Sequence, residues 1–498
     1  MRMRTGLPAM VIGACLALAA ASLALPADPV YDAWAWLVWG RELAGPGLDL
    51  STGPSWKPLA VGITAVLSLA GDAAPPLWLA LVRAAWLLAL VLVARLAYVL
   101  TAGHQRRERF AAAAFASLSL LLALDPVTAW LRQGAQGMSE PLLVALVLCA
   151  VHAGIDGRVR SALSLGALAA LLRPEVWPLL AAYGVWCWRR EPASRPLTVA
   201  LALAIPALWF GPELLAAGDA LGGAERAQRD DDGSLPAVAE VAQRALALPL
   251  LAAWPLAVLA AASSAAARGA RLLLVAALAW IAVVALMAAA GDFAGLPRFM
   301  APAAAVVGVL GGVGVARLLA LARARRLRPA VATTGRPAVA TTGRPAVATA
   351  ALAALLAALA LQVPPRAEQL REAARVTVRV GQSHERLRAL VRAVGNAALL
   401  RCGDLATSDV LVRTALSWEL DAPLADVVSF GRMPHRSGAF VIGPQAPWAL
   451  RLSVARRAIL LARRGEWRAY SLDCPATTGS RSSSSGRPRR AGVTGARR

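Results

Sequence analysis

Six charged side chains stand in short, proline- or aromatic-marked stretches of an otherwise apolar chain, and their types suit acid–base and phosphate chemistry. The first is Asp32 in "PVYDAWAWLVWGREL" (29–43), crowded by Tyr31, Trp34, Trp36 and Trp39. A carboxylate kept partly dry among aromatic rings is a stronger base, suited to taking a proton from an acceptor hydroxyl. The same aspartate, just after Pro29, also suits the N-cap of the run that follows. Lys57 in "GPSWKPLA" is the only lysine among 52 basic residues. It offers a point charge to a phosphate, or an interfacial anchor beside Trp56. Glu140 follows Ser139 in "SEP", which also reads as a plain helix start with Pro141 in the first turn. Arg173 and Glu175 in "RPE" can hold a ligand or simply hold each other. Arg298, after Pro297, offers a two-pronged grip on phosphate or an anchor to lipid headgroups. Asp49, Arg132, Asp292 and the acidic run Asp230–Asp232 share the same loops, and the run reads as solvated surface.

Other chemistries find no support. The four histidines are scattered, and no His/Cys/carboxylate set has zinc-ligand spacing. No Walker loop or dinucleotide fingerprint is present, so soluble-nucleotide chemistry on the cytoplasmic side is unsupported.

The elements that must position these residues are membrane helices. The hydrophobic fraction is 58% and the mean hydropathy +0.57, with apolar runs of spanning length throughout the first three-quarters. Leu and Ala dominate, and the alternation of an outer-membrane barrel is absent. The net charge of +23 comes from arginine clusters between apolar runs ("RMR", "HQRRER", "DGRVR", "WRRE", "ARGAR", "RARRLR"). That placement fits cytoplasmic loops better than a nucleic-acid surface.

A polytopic α-helical protein with its N-terminus inside follows, with about eleven transmembrane helices. They fall at about 7–25, 76–100, 109–124, 139–154, a short out-and-back pair at 161–172 and 176–188, then 196–214, 245–266, 271–290, 299–320 and 347–362. The first helix also resembles a signal peptide. A first outer loop covers 26–75, and a short apolar stretch at 58–70 within it looks too short to cross. The candidate residues then gather at the outer ends of the helices, where charge at membrane depth marks function. A repeat of "RPAVATTG" makes 322–346 a cytoplasmic low-complexity linker. Residues 363–475 form an extracytoplasmic α/β domain, with helices at "LRALVRAVG" and "SDVLVRTALSWEL" and strands at "NAALLRCG" and "AFVIGP". Residues 476–498 form a disordered basic tail. Cys15, Cys149 and Cys187 lie in apolar runs as small buried hydrophobes. Outside the cytoplasm, Cys402 and Cys474 could pair.

In order along the chain, "YDAWAWLVWGREL", "GPGLDL", "PSWKPL", "GMSEPLLVALVL", "LLRPEVWPLL" and "LPRFMAPAAAVVGVLGG" resemble the GT-C glycosyltransferases. The nearest branch is the mannosyl- and arabinofuranosyl-transferase-like one of actinobacterial type. The resemblance covers about 300 residues and implies a multi-pass cell-membrane enzyme. Such an enzyme moves a sugar from a polyprenyl-phosphate donor to a glycan or lipid acceptor of the cell envelope. It implies Asp32 as the catalytic base of an inverting transfer and Arg298 as a donor-phosphate ligand, helped by Lys57. Glu140, Arg173 and Glu175 would complete the substrate-binding set. It leaves a divalent metal open, although Tyr31 stands where many relatives carry a second acid. No cofactor is otherwise called for. The C-terminal domain resembles extracytoplasmic domains that some actinobacterial members carry, suited to binding acceptor or glycan. The rival readings are a transporter or flippase for lipid-linked sugars, which would put charges and repeats near the bilayer midplane, and a non-enzymatic envelope assembly protein. The latter would leave Asp32, Lys57 and Arg298 dispersed.

Overall fold

The computed structural model describes residues 9–45, 47–123, 129–223, 235–262, 267–290, 294–326, 343–401, 405–430 and 438–472. The repeat-bearing linker (bar its ends), the basic tail, Asp230–Asp232, Asp292, Cys402 and Cys474 lie outside the described residues. Nearly all the rest is helical. The helices are α1 (Ala9–Ala21), α2 (Tyr31–Ala44), α3 (Pro58–Ser68), α4 (Ala74–Leu100), α5 (Arg106–Leu121), α6 (Trp130–Ala135) and α7 (Glu140–Ile155). Then come α8 (Val159–Ala170), α9 (Trp177–Arg190), α10 (Arg195–Ala217), α11 (Leu235–Ala247), α12 (Ala253–Ala261), α13 (Ala267–Ala289), α14 (Ala301–Arg326) and α15 (Gly343–Val394).

By length and composition, five helical stretches among the described residues can cross a membrane: Gly71–Leu100, Pro192–Ala217, Arg268–Ala289, Pro297–Ala324 and Thr349–Val394. Shorter apolar helices at Ala9–Ala24, Pro58–Ser68, Glu140–Ile155 and Val159–Ala170 accompany them. This is an integral membrane protein. Of the expected span at 245–266, α12 (Ala253–Ala261) and only the last turn of α11 are helical; the two part at "LPLLA", where Pro249 lacks the N–H that would continue α11.

At the centre, α14 packs against α5 and α12. Its "GVLGGVG" segment makes this close: a Cβ on Gly312 would strike the Ala112 carbonyl, and one on Gly314 the Leu256 carbonyl. Small residues that let helix backbones approach are the usual device where no hydrophobic force draws helices together.

The stretch beyond the last expected span brings two corrections. α15 runs unbroken across position 363 and includes Pro364 and Pro365, so the helix expected at 347–362 continues as a stalk into the C-terminal domain. Arg366, directly after the prolines, donates to the carbonyls of Leu122, Ala247, Leu248 and Pro249 at 2.7–3.1 Å, caps that suit helix C-termini. The strand expected at "NAALLRCG" is instead α16 (Asn396–Leu400), followed by the short β1 (Leu405–Thr407).

The rest of that domain comprises α17 (Arg413–Glu419), β2 (Val427–Ser429), β3 (Gly438–Ile442), α18 (Trp448–Arg457), β4 (Ile459–Arg464) and β5 (Trp467–Leu472). The sheet order is β2-β1-β3-β5-β4, parallel on the β1 side of β3 and antiparallel on the β5 side. β3 is buried along its whole length. Ala439 and Val441 meet Leu387, Leu390 and Val391 of α15, while Phe440 and Ile442 meet Leu450 and Val454 of α18. The period-2 alternation of a strand sends them to opposite faces.

This domain sits on the first loop. Arg41 bonds the carbonyls of Trp418 and Ala422 and the carboxylate of Asp421. The Thr414 hydroxyl donates to the Tyr31 carbonyl at 2.9 Å, and Arg413 to Thr52. Trp34 packs on Trp418, and Trp34, Trp36 and Trp39 are all at most 1% exposed. They are core residues beneath the domain rather than the interfacial aromatic belt that their spacing suggests.

Candidate functional site

Five helix entrances converge on one place and carry the six candidate residues there. Asp32 is in the first turn of α2 and Lys57 immediately precedes Pro58 of α3. Glu140 opens α7, Glu175 lies in the single 3-10 turn that leads into α9, and Arg298 in the 3-10 turn that leads into α14. Proline near each of the last four starts presets the helical φ. Backbone bonds tie the entrances together: Val30 N–H to Gln136 C=O at 3.0 Å, and Leu59 N–H to Leu171 C=O at 3.2 Å. The indole of Trp78 holds the Gly137 carbonyl at 2.9 Å, just before Ser139. Asp32 is not an N-cap: Val30 holds that position, and no side chain caps the helix.

The charges interlock. Arg173 is ion-paired to Glu140 Oε1 and, at 3.4 Å, to Glu175 Oε1. Arg298 lies 3.7 Å from Asp32 Oδ2 and 4.0 Å from Glu140 Oε1. Lys57 donates to Ser139 Oγ at 2.7 Å and lies 4.7 Å over the Trp36 ring. The Phe299 ring carries Arg173 on its face at 4.0 Å and Arg298 at 5.3 Å. Three carboxylates thus face three cations, a balance that the cost of buried charge requires.

Burial is graded across the cluster. Glu140 and Glu175 are 0% exposed, whereas the side chains of Asp32 and Arg298 retain 20% and 22% exposure. The deep members form a scaffold and the last two form its open edge. Burial pushes the Lys57 ammonium down to about 7, with Arg173 adding to the effect and Glu140 and Asp32 opposing it. Burial also works against the charge on Arg173, but Glu175 and Glu140 outweigh it and hold the guanidinium above its usual value.

The cluster has binding capacity left over. Glu140 Oε2, Glu175 Oε2, Arg173 Nε and Trp36 Nε1 are buried without a hydrogen-bond partner among the described residues, which is costly unless a ligand or water serves them. Helix N-termini present free N–H groups and the positive ends of their dipoles, so this convergence suits an anion such as phosphate. No group of three or more His, Cys, Asp or Glu among the described residues is arranged to hold a metal ion.

The other loop residues lie elsewhere. Asp49 receives the Ser51 N–H, and Arg132 bonds Gln136 and lines a separate cleft. Sequence reasoning passed over Ser139 as a ligand to Lys57, and Trp36 and Phe299 as platforms for the cations. It also passed over Asp28, whose oxygens bond His384 Nδ1 and Arg388 Nη2, both at 2.6 Å, while Arg388 reaches Glu419 at 2.7 Å. Only the position of Phe299 beside Arg298 hinted at its part.

No protein-family model matches the chain, and no curated protein matches it in sequence. A solved structure decides the fold: ArnT from Cupriavidus metallidurans bound to undecaprenyl phosphate aligns with a TM-score of 0.56 at 16% identity, over 95% of this chain and 99% of that one. The fold is similar to that of ArnT. The apo structure of the same protein aligns with a TM-score of 0.49 at 17% identity, over 93% of this chain and 97% of that one. At such identity the likeness is one of fold, and it extends over both the helical body and the C-terminal domain.

Proposed function

We propose that the protein is a GT-C-type membrane glycosyltransferase moving a sugar from a polyprenyl-phosphate donor to an acceptor outside the cytoplasm. The observation that carries this reading is the gathering of Asp32, Lys57 and Arg298, from positions 266 residues apart, at converging helix N-termini. The fold adds support, since ArnT has been solved with undecaprenyl phosphate bound. An assembly protein has no use for such a cluster, and a carrier would hold its charges at mid-membrane.

In this reading the donor phosphate enters between Lys57 and Arg298. Drawing Arg298 toward the phosphate loosens its 3.7 Å hold on Asp32 and frees the carboxylate as a base. The acceptor oxygen attacks the anomeric carbon as its proton passes to Asp32. The bond from that carbon to the phosphate oxygen breaks, and the polyprenyl phosphate leaves with the charge that Arg298 and Lys57 stabilise. A single displacement inverts the anomeric centre. Glu140 attracts the two cations, and Arg173, paired with Glu140 and Glu175, fixes Glu140 in place. The prenyl tail fits the apolar groove of about 540 Å³ between α8, α9 and α10, whose lining includes Leu163, Trp177, Leu180, Val185 and Leu201. Trp177 stands two residues from Glu175.

Eleven crossings with the N-terminus inside, the C-terminal domain outside and an actinobacterial envelope acceptor complete the proposal. The test is transfer from a labelled polyprenyl-phosphate sugar by the reconstituted Asp32→Asn protein. Transfer should fall by about a thousandfold while the fold and donor binding persist; undiminished transfer would remove Asp32 as the base.

A further inference from the structure

A cleft of about 450 Å³ lies apart from the charge cluster, between the first loop, α6, the stalk α15 and the C-terminal sheet domain. Tyr31 lines it, while its neighbour Asp32 joins the cluster. Consecutive helical residues point about 100° apart, so the first turn of α2 separates the two sites. Three arginines from two elements face the cleft: Arg132 of α6, and Arg379 and Arg386, seven residues apart on one face of α15. Arg132 is steadied by Gln136 and Arg379 by Glu372.

His384 stands between them, 8% exposed. The Asp28 carboxylate can only accept, so Nδ1 donates to it at 2.6 Å. Nε2 makes no hydrogen bond within the described chain and is left to the cleft. Two carboxylates also line it, Asp409 and Glu466. Asp409 already accepts the Leu411 N–H at 3.0 Å, so three arginines stand against two carboxylates, one of which is engaged.

We propose that this cleft is a second binding site, taking an oxyanion carried on a hydroxyl-rich group, a sugar phosphate being the chemistry that fits. Arg132, Arg379 and Arg386 supply charge-assisted bonds to the oxyanion. His384, fixed by Asp28, together with Gln136, Ser383 and Asp409, supplies the mixed donors and acceptors that hydroxyls need. The site does not depend on transfer activity at Asp32.

The test uses the full-length protein, labelled with 15N-histidine, in phosphatidylcholine nanodiscs. The chain has four histidines, and loss of one signal in His384→Gln assigns it. Glucose 6-phosphate should shift the His384 signal saturably, with glucose about tenfold weaker. Arg386→Gln, an exposed change that leaves the fold alone, should weaken the sugar phosphate by about tenfold. Lys57→Gln should leave it unchanged. No shift with any probe, or loss of the shift in Lys57→Gln, overturns the proposal. Inorganic phosphate binding more tightly than glucose 6-phosphate, or a response only to phosphatidylglycerol in the disc, overturns the sugar assignment.

Discussion

Asp28 and Asp32 are four residues apart, yet they enter charge clusters of opposite character. Asp28 is 4% exposed, with one oxygen on His384 and the other on Arg388, both at 2.6 Å. Arg388 also holds Glu419 at 2.7 Å, and none of these side chains leaves a buried atom unpartnered. Asp32 keeps 20% exposure, and among the described residues its one ion pair is the 3.7 Å approach of Arg298. Among the described residues, its neighbours leave Glu140 Oε2, Glu175 Oε2 and Arg173 Nε without hydrogen-bond partners. A network that fastens two parts of a protein satisfies its buried atoms, here with only His384 Nε2 open to a cleft, whereas one that binds a ligand keeps buried capacity in reserve. Charge alone does not separate the two; completeness of pairing does.

The largest expected effect tests the open cluster. Asp32→Asn should lower transfer by about a thousandfold, the scale of general-base catalysis, with the thermal midpoint unchanged because the lost contact is long and half open. A fall in midpoint with transfer retained would move Asp32 into the structural class and break the comparison from that side.

Asp28→Ala should do the reverse. It strips His384 and Arg388 of their shared carboxylate and leaves a half-buried guanidinium with Glu419 as its one carboxylate partner among the described residues and the Trp34 ring beneath it. Removing one partner of such a network costs about 3 kcal/mol. The loss should appear as earlier unfolding and faster proteolysis between α17 and β5, while any transfer that remains keeps its wild-type donor KM. A raised donor KM with unchanged proteolysis would show that Asp28 also serves the donor.

Much of the open cluster was legible because its members stand at helix starts that the sequence marks. Pro58, Pro141, Pro174 and Pro297 adjoin Lys57, Glu140, Arg173 and Arg298, and topology puts those starts on one side. The closed network was not legible. Its bonds join residues 356 and 360 positions apart, and no local pattern announces such a pairing. The burial of the tryptophans was not legible for the same reason: local spacing cannot reveal that a distant domain lies over Trp34 and Trp36. The helix expected to end near 362 continues through Pro364 and Pro365, with Arg366 anchoring it sideways onto four carbonyls.

A smaller effect separates the deep cation from the shallow one. Burial holds Lys57 at about 7 against an ordinary value of 10.5. The unfolded chain therefore binds more protons between those values, and stability contributed at this site should rise from about pH 7 toward pH 10.5 and then level off. Donor binding should run the other way, because the ammonium that meets the phosphate is lost as pH rises through 7. Donor KM should rise by up to about tenfold for each pH unit above 7. Lys57→Met should flatten both profiles, and an unchanged pair of profiles would assign the titration to another group.

The smallest effect concerns the seam between the two clusters, where no charge is involved. The Thr414 hydroxyl donates to the Tyr31 carbonyl at 2.9 Å, one residue before Asp32 and three after Asp28. Thr414→Val keeps the shape, removes the donor and leaves a part-buried carbonyl short of one partner, which costs about 1 kcal/mol. The Asp28 network should hold the domain in place nonetheless, so proteolysis of the C-terminal domain should stay near wild type. The first turn of α2 should loosen, so transfer should fall by a few-fold with donor KM unchanged. Combined with Asp28→Ala, the loss in stability should exceed the sum of the two single losses, because both brace one turn. Strict additivity would mean that the seam and the network act separately, and that Asp32 is aimed by α2 alone.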